Sequence, residues 1–277
     1  MVIIKKIKMV LMFLSILALL SACASNSESE QINDSKSPIS ISGSTSVGPL
    51  AEKLAAKYHE HDNIKIEINQ IGSSAGIANA MSGVSELGMS SRDLKEEEQG
   101  NLKEVVIAYD GIVVVTHPSN KVKELTLEQV KQIFTGEITN WKQLGGDDME
   151  IVVVSREDGS GSRDAFQEIV GYGSGELIRN AIIASGNGNI KTTVANNKHA
   201  VGFISFEYID DAISTINIDG VEATAENVLE QKYKLSRPFL FVYKDGNLTA
   251  NGQKFIDFIL SDEGQKIAAE AGAIPIK

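Results

Sequence analysis

The chain has 277 residues, a formal net charge of −11, 42% hydrophobic and 23% charged residues, and a single cysteine. That composition is globular and long enough for one large or two modest cores; it excludes a disulfide scaffold, and its acidity argues against nucleic acid or an anionic membrane surface as partner. The one cysteine, Cys23, stands directly after a segment whose pattern is not globular.

That segment comes first in chain order. Lys5, Lys6 and Lys8 form a positive stretch, and residues 9–20 are a dozen apolar residues, short for a bilayer span but suited to the hydrophobic region of a secretory signal. Residues 20–23 read LSAC, which resembles the bacterial lipobox, where cleavage falls just before the cysteine. The expectation is a lipoprotein signal peptide over 1–22, lipidation at Cys23, and a flexible tether over 23–38, whose polar run has almost nothing to bury. Losing three lysines and no acid with the signal takes the charge from −11 to −14. Fully extended, the tether reaches roughly 50 Å. These features predict a domain working on the extracytoplasmic face of the cell membrane, held there by lipid alone.

From residue 39 onward, short β-branched runs alternate with helix-length amphipathic segments, the pattern of an α/β fold with a largely parallel sheet. Strands are predicted at 39–42, 64–71 and 86–89, with helices at 47–58, 75–81 and 94–100, before the long β-rich run 105–116. A capping box, Thr126 with Gln129 three residues on, opens the next helix. A strand at 151–155 leads into a helix at 163–170, and further helices are predicted at 176–184, 191–197 and 224–231. Strands at 201–204, 215–218 and 237–243 and two closing helices, 250–260 and 262–271, complete the pattern. No internal repeat is visible.

Three of the strand-to-helix junctions share one composition: GSTSVGP at 43–49, GSSAGI at 72–77 and REDGSGSRDAF at 156–166. Each puts glycines and hydroxyl residues where the first helical turn leaves free N–H groups and partial positive charge, which is an anion site. Simple N-capping explains any one of them. Three, with Arg92 and Arg156 at the ends of strands, exceed what capping requires, because an arginine at that sheet edge can fork onto two oxygens of one tetrahedral oxyanion. Asp158, two residues beyond Arg156, is expected to fix the guanidinium's direction.

These residues resemble the substrate-binding lipoproteins of phosphate ABC importers, the PstS family, across essentially all of the chain beyond the tether. REDGSGS at 156–162 is similar to that family's phosphate loop; GSTSV at 43–47, GSS at 72–74, LGMSSR at 87–92, FTGEITNWKQLGG at 134–146 and VGFISF at 201–206 match as well. The resemblance implies a two-lobed periplasmic-binding-protein-like (type II) α/β fold with two hinge crossings, lobe one being 39–112 and 240–277 and lobe two 113–239. It further implies that Ser44, Thr45, Ser74, Ser90, Ser91, Arg92, Arg156, Ser160, Gly161 and Ser162 line a pocket for inorganic phosphate. Partners would be ABC permease subunits with a cytoplasmic ATPase, and the protein would act as a monomer with no cofactor and no metal. In one place the sequence departs: longer members carry an acid after the serine that ends the third strand, where this chain has Ser91-Arg92. A carboxylate there would accept the proton that phosphate keeps and sulfate lacks. Asp110 is the leading candidate to replace it, with Asp93 and Asp158 behind.

Competing readings are a serine hydrolase, since GSSAG at 72–76 matches a nucleophile elbow; another tetrahedral oxyanion such as sulfate or molybdate on the same fold; and a surface sensor or adhesin holding phosphate only as a structural ion. A triad would need His59, His61, His117 or His199, which read as surface histidines. His59 and His61 lack a third metal ligand.

Overall fold

A computed structural model describes residues 37–276. The signal peptide, Cys23 and the tether as far as residue 36 lie outside the described residues.

One sheet path runs through the molecule in the order β2 (Ile66–Gln70), β1 (Ile39–Gly43), β3 (Leu87–Ser90), β11 (Ser236–Lys244), β4 (Leu102–Thr116), β8 (Ala200–Ser205), β6 (Val152–Arg156), β7 (Ile182–Ala184). Strands β2, β1 and β3 are parallel, as are β8, β6 and β7, so each half is α/β with strand C-termini along one edge. In the middle the sheet is mixed rather than largely parallel. The chain leaves the first half on β4 and returns beside it on β11, so these two pair antiparallel from Ser236↔Gly111 to Lys244↔Leu102, with a register shift at Phe239/Leu240.

Four sets of buried side chains flank this path, one on each face of each half. Ile41, Leu50, Leu54, Met89, Ile107, Phe241 and Phe255 belong to the first core, under α1 (Gly48–Asp62), α8 (Ala250–Ile259) and α9 (Asp262–Glu270). On the opposite face of that half, Ile77 and Ala80 of α2 (Ser73–Ser82) pack with Leu240 and Val242; the short α3 (Glu96–Gln99) follows on the chain. The second core holds Ile112, Val114, Phe134, Trp141, Phe166 and Phe203, under α4 (Leu127–Thr135) and α5 (Gly161–Val170). Its other face is covered by α6 (Gly186–Ala195), through Ile190 and Val194. Strand β4 passes from one core to the other, Ile107 and Ala108 in the first and Ile112 and Val114 in the second, with Val113 and Val115 on the face under α6.

Most predicted elements stand within a few residues. Thr126 caps α4 with the reciprocal bonds of a capping box, Gln129 N donating to its Oγ1 at 3.1 Å and its own N to Gln129 Oε1 at 2.9 Å. The exception is the helix predicted at 176–184: the chain makes a 3-10 turn at Ser174–Glu176 and then β7, because Ile182–Ala184 completes the sheet against β6. The helix predicted at 224–231 shortens to α7 (Ala225–Leu229), and the strand predicted at 215–218 splits into β9 (Ser214–Thr215) on β4 and β10 (Asn217–Ile218), which pairs β5 (Glu124–Leu125). Trp141, fully buried, donates from Nε1 to the His199 carbonyl at 3.0 Å, a packing role.

Candidate functional site

The C-terminal ends of β1, β2, β3 and β6 converge on a small, tightly closed cavity. Ser44, Thr45 and Ser46 reach it from the β1–α1 junction, Gly72 and Ser73 from β2–α2, Ser91 from the end of β3, and Arg156, Ser160, Gly161 and Ser162 from β6–α5. Its side chains are hydroxyls and one guanidinium, a donor-rich lining in which no carboxylate takes part.

Local sequence explains the walls. Ser44 Oγ accepts from the N–H groups of Ser46 and Val47 at 3.1 and 3.2 Å, folding the junction into a tight turn, and donates to Ser91 Oγ at 2.9 Å. Ser160 caps α5, its Oγ accepting from Arg163 N at 3.3 Å, so the first turn of α5 opens onto the cavity. Gly161 is there because a side chain cannot be: a Cβ would lie 2.3 Å from Ser73 Oγ and 2.8 Å from Ser91 Oγ.

Arg156, 1% exposed, is held from both sides. Its Nε and Nη2 donate to the two oxygens of Glu157 at 2.8 Å each, Nη2 also to Thr45 Oγ1 at 2.8 Å, and Nη1 toward Asn187 Oδ1 at 3.4 Å and Ser162 Oγ at 3.5 Å. Burial alone would raise the Glu157 carboxyl, but the bonds and charge of Arg156 outweigh it and hold the group below its ordinary range. The walls meet through Ser46 Oγ and Ser162 Oγ at 2.8 Å and through Ser74 N, which donates to the Gly159 carbonyl at 3.2 Å.

Of the expected site residues, the structure brings together Ser44, Thr45, Ser91, Arg156, Ser160, Gly161 and Ser162. It does not bring Ser74, Ser90, Arg92 or Asp110 to the cavity. Ser73, the first residue of α2, is the one turned inward, and Ser74 is partly exposed one step round the helix. Ser90 Oγ turns back on its own loop, donating to the Arg92 carbonyl at 2.8 Å. Arg92 is held by Glu98 and Asp164. Asp110 sits within β4, where Oδ2 accepts from Arg237 Nε and Nη2 at 3.1 and 2.9 Å and Oδ1 from Ser205 Oγ and Phe206 N at 2.8 and 3.2 Å. Burial raises its carboxyl against the pull of Arg237. Asp158 pairs with Arg163, not Arg156, and Asp93 is exposed. The orienting acid is therefore Glu157.

Ser46, Gly72, Ser73, Asn187 and Arg237 escaped the sequence reading. The first three lie inside GSTSV and GSS and needed only the helical phase. Asn187, whose Nδ2 donates to Ser46 Oγ at 2.9 Å, and Arg237, whose Nη1 donates to the Ser91 carbonyl at 3.2 Å, carry no local signal.

The four histidines are engaged away from the serine junctions. His59 bonds the Ile64 carbonyl, His61 Glu263, His117 Ser119 and His199 the Glu150 carbonyl, so the elbow serines have no imidazole beside them. Among the described residues no group of three or more His, Cys, Asp or Glu side chains is gathered to hold a metal, and no helix is long and apolar enough to cross a membrane.

Beside the crossing strands, Glu207 lies in the turn Phe206–Tyr208; its Oε1 is buried with no hydrogen-bond partner among the described residues. Burial, then the Asp110 charge, pushes its carboxyl up to about 8, against Lys53 and Arg237. The native chain therefore keeps a proton that the unfolded chain releases near its ordinary value of 4.5. Stability present below that value is lost as pH rises to about 8, on the order of 4 kcal/mol. Urea unfolding at pH 5.5 and 8 is expected to show this loss in the native sequence and a much smaller one in Glu207→Gln; equal losses would refute the assignment.

A model of the PBP superfamily domain matches residues 24–263, so the fold and its cleft are those of that class of binding protein. Among curated proteins, the phosphate-binding protein PstS of Borreliella burgdorferi is 31% identical over 97% of this chain and 98% of its own length, and that of Bacillus subtilis 31% over 98% and 95%. Among solved structures, a Clostridium perfringens substrate-binding protein assigned to phosphate ABC transport, with bound phosphate, is 62% identical with a TM-score of 0.85, over 87% of this chain and all of that one. An ABC-type phosphate transport receptor from Vibrio cholerae is 38% identical with a TM-score of 0.76, over 85% and 99%. This chain belongs to the PstS family of phosphate-binding proteins. It is a binding protein and not an enzyme.

Proposed function

We propose that the protein binds inorganic phosphate outside the cytoplasmic membrane and delivers it to an ABC permease driven by a cytoplasmic ATPase, working as a monomer held to the membrane through lipid on Cys23. The observation that carries this reading is the tightly closed pocket in which Arg156, serine and threonine hydroxyls and the first turn of α5 converge. Charge-assisted donors on several sides suit the charge of one tetrahedral oxyanion. Lobe one is 39–112 with 240–277 and lobe two is 113–239. The passage of β4 from the first core to the second between Ala108 and Ile112, and the register shift on β11 at Phe239/Leu240, support crossings close to those bounds. Opening would part Ser46 from Ser162 and Thr45 from Arg156, so phosphate enters between the lobes and closure completes the site.

Selection against sulfate falls to hydroxyls, since each can donate or accept. Ser91 Oγ, which takes the hydrogen of Ser44, is left with a hydrogen and a lone pair for ligand or neighbour. Calorimetric titration with phosphate, sulfate and molybdate between pH 6 and 8 is expected to show tight binding of phosphate alone. Sulfate bound as tightly as phosphate would overturn the specificity.

A further inference from the structure

Arg92 spends its guanidinium on a contact between the two halves of the molecule. Nη1 and Nη2 donate to the two oxygens of Glu98 at 2.8 and 2.9 Å, Nη1 to the Asp93 carbonyl at 2.8 Å, and Nε to Asp164 Oδ2 at 3.1 Å. Glu98 is six residues away and belongs to the same half; it fixes the direction of the guanidinium. Asp164 belongs to the other half, in the first turn of α5, whose Ala165 and Phe166 are in the second core. Among the described residues, the only other ion pair reaching from 39–112 or 240–277 to 113–239 is Asp110–Arg237, which sits on the paired crossing strands themselves. Arg92 follows Ser91, and Asp164 comes two residues after Ser162, so each partner is attached to one wall of the cavity.

We propose that Arg92–Asp164 is a latch that holds the two walls together and sets how long a bound phosphate stays. Neither side chain touches the anion; both are positioning residues. The inference rests on the reading of the cavity as a phosphate site that opens between two lobes. Simple electrostatics makes the opposite prediction, which gives the test its force. Asp164 is an acid in the first turn of the helix whose N-terminus faces the anion, so removing its charge should by itself tighten anion binding. A latch requires binding to weaken, and the change to lie in release, because closure follows encounter. Asp164 is 24% exposed against 3% for Arg92, so salt should reach and loosen the pair.

The test is stopped-flow phosphate binding and release by the full chain, as native sequence, Asp164→Asn and Asp164→Glu. Release is expected to be about three- to tenfold faster in Asp164→Asn with association nearly unchanged, partly restored in Asp164→Glu, and accelerated by salt in the native sequence but not in Asp164→Asn. Unchanged or slower release in Asp164→Asn would remove the latch and leave phosphate binding standing. Failure of the native sequence to bind phosphate would instead remove the proposed function. X-ray scattering of the ligand-free proteins then decides the latch alone: a larger radius of gyration for Asp164→Asn supports it, and an equal one refutes it.

Discussion

Arg156→Ala is expected to weaken phosphate binding by about a hundredfold, the largest loss of any single substitution at the site. One charge-assisted hydrogen bond to the anion contributes roughly 1.5 to 3 kcal/mol, or ten- to a hundredfold. A second effect acts in the same direction. Glu157 is half-buried and owes its lowered carboxyl pKa to Arg156, so the substitution leaves a poorly solvated acid in the wall of an anion site. The remaining carboxylate repels the ligand it previously helped to bind. Arg156→Ala with Glu157→Gln should therefore recover part of the loss, although Glu157 makes no contact with the cavity. Arg156→Lys should recover less than its retained charge suggests, because an ammonium cannot span both Glu157 oxygens and Thr45 while presenting donors to the anion. Calorimetry on the four proteins separates these terms, and native affinity in Arg156→Ala would overturn the placement of the site.

Which of the expected residues the structure gathers at the cavity follows from the range of the signals that place them. Ser44, Arg156, Ser160 and Gly161 sit where strand periodicity gives way to a capped helix, and everything that places them lies within a few residues. Arg92 and Asp110 look equally well placed by the same local rule. Their partners are what differ: Asp164 is 72 residues from Arg92, and Arg237 is 127 from Asp110. An arginine at a sheet edge reads as a ligand until its acids are known. The same holds for β7, whose Ile182 and Ile183 have no strand pattern of their own and are extended only because β6 offers an edge. Ser73 and Ser74 are a finer case. Choosing between them needs the phase of α2, which adjacent serines do not reveal. Outside 176–184 the alternation of strands and helices was legible, but the central antiparallel pairing of β4 with β11 depends on the chain returning from the second core, a fact of topology rather than of composition.

Gly161→Ala separates binding from folding more sharply than any other change. Gly161 is the first residue of α5, outside the helix interior, so alanine there should change the stability of the second core little. Across the cavity the effect is larger. The new Cβ would lie 2.3 Å from Ser73 Oγ, 2.8 Å from Ser73 Cβ and 2.8 Å from Ser91 Oγ, and the Ser73 Cβ cannot rotate away because it is fixed to the backbone of α2. The walls can relieve the clash only by standing apart, which spoils the convergence on the anion. Overpacking of this kind costs roughly 1 to 3 kcal/mol, and here the cost falls on the closed form alone, so affinity should drop about ten- to a hundredfold. Thermal unfolding with and without phosphate reads both halves of the expectation. The ligand-free transition should move little, because opening of the walls relieves the clash, while the stabilisation that saturating phosphate gives the native chain should shrink in proportion to the lost affinity. A full phosphate-induced shift in Gly161→Ala would mean that the anion is held without the walls meeting at Gly161, and closure would then have to be assigned to a different contact.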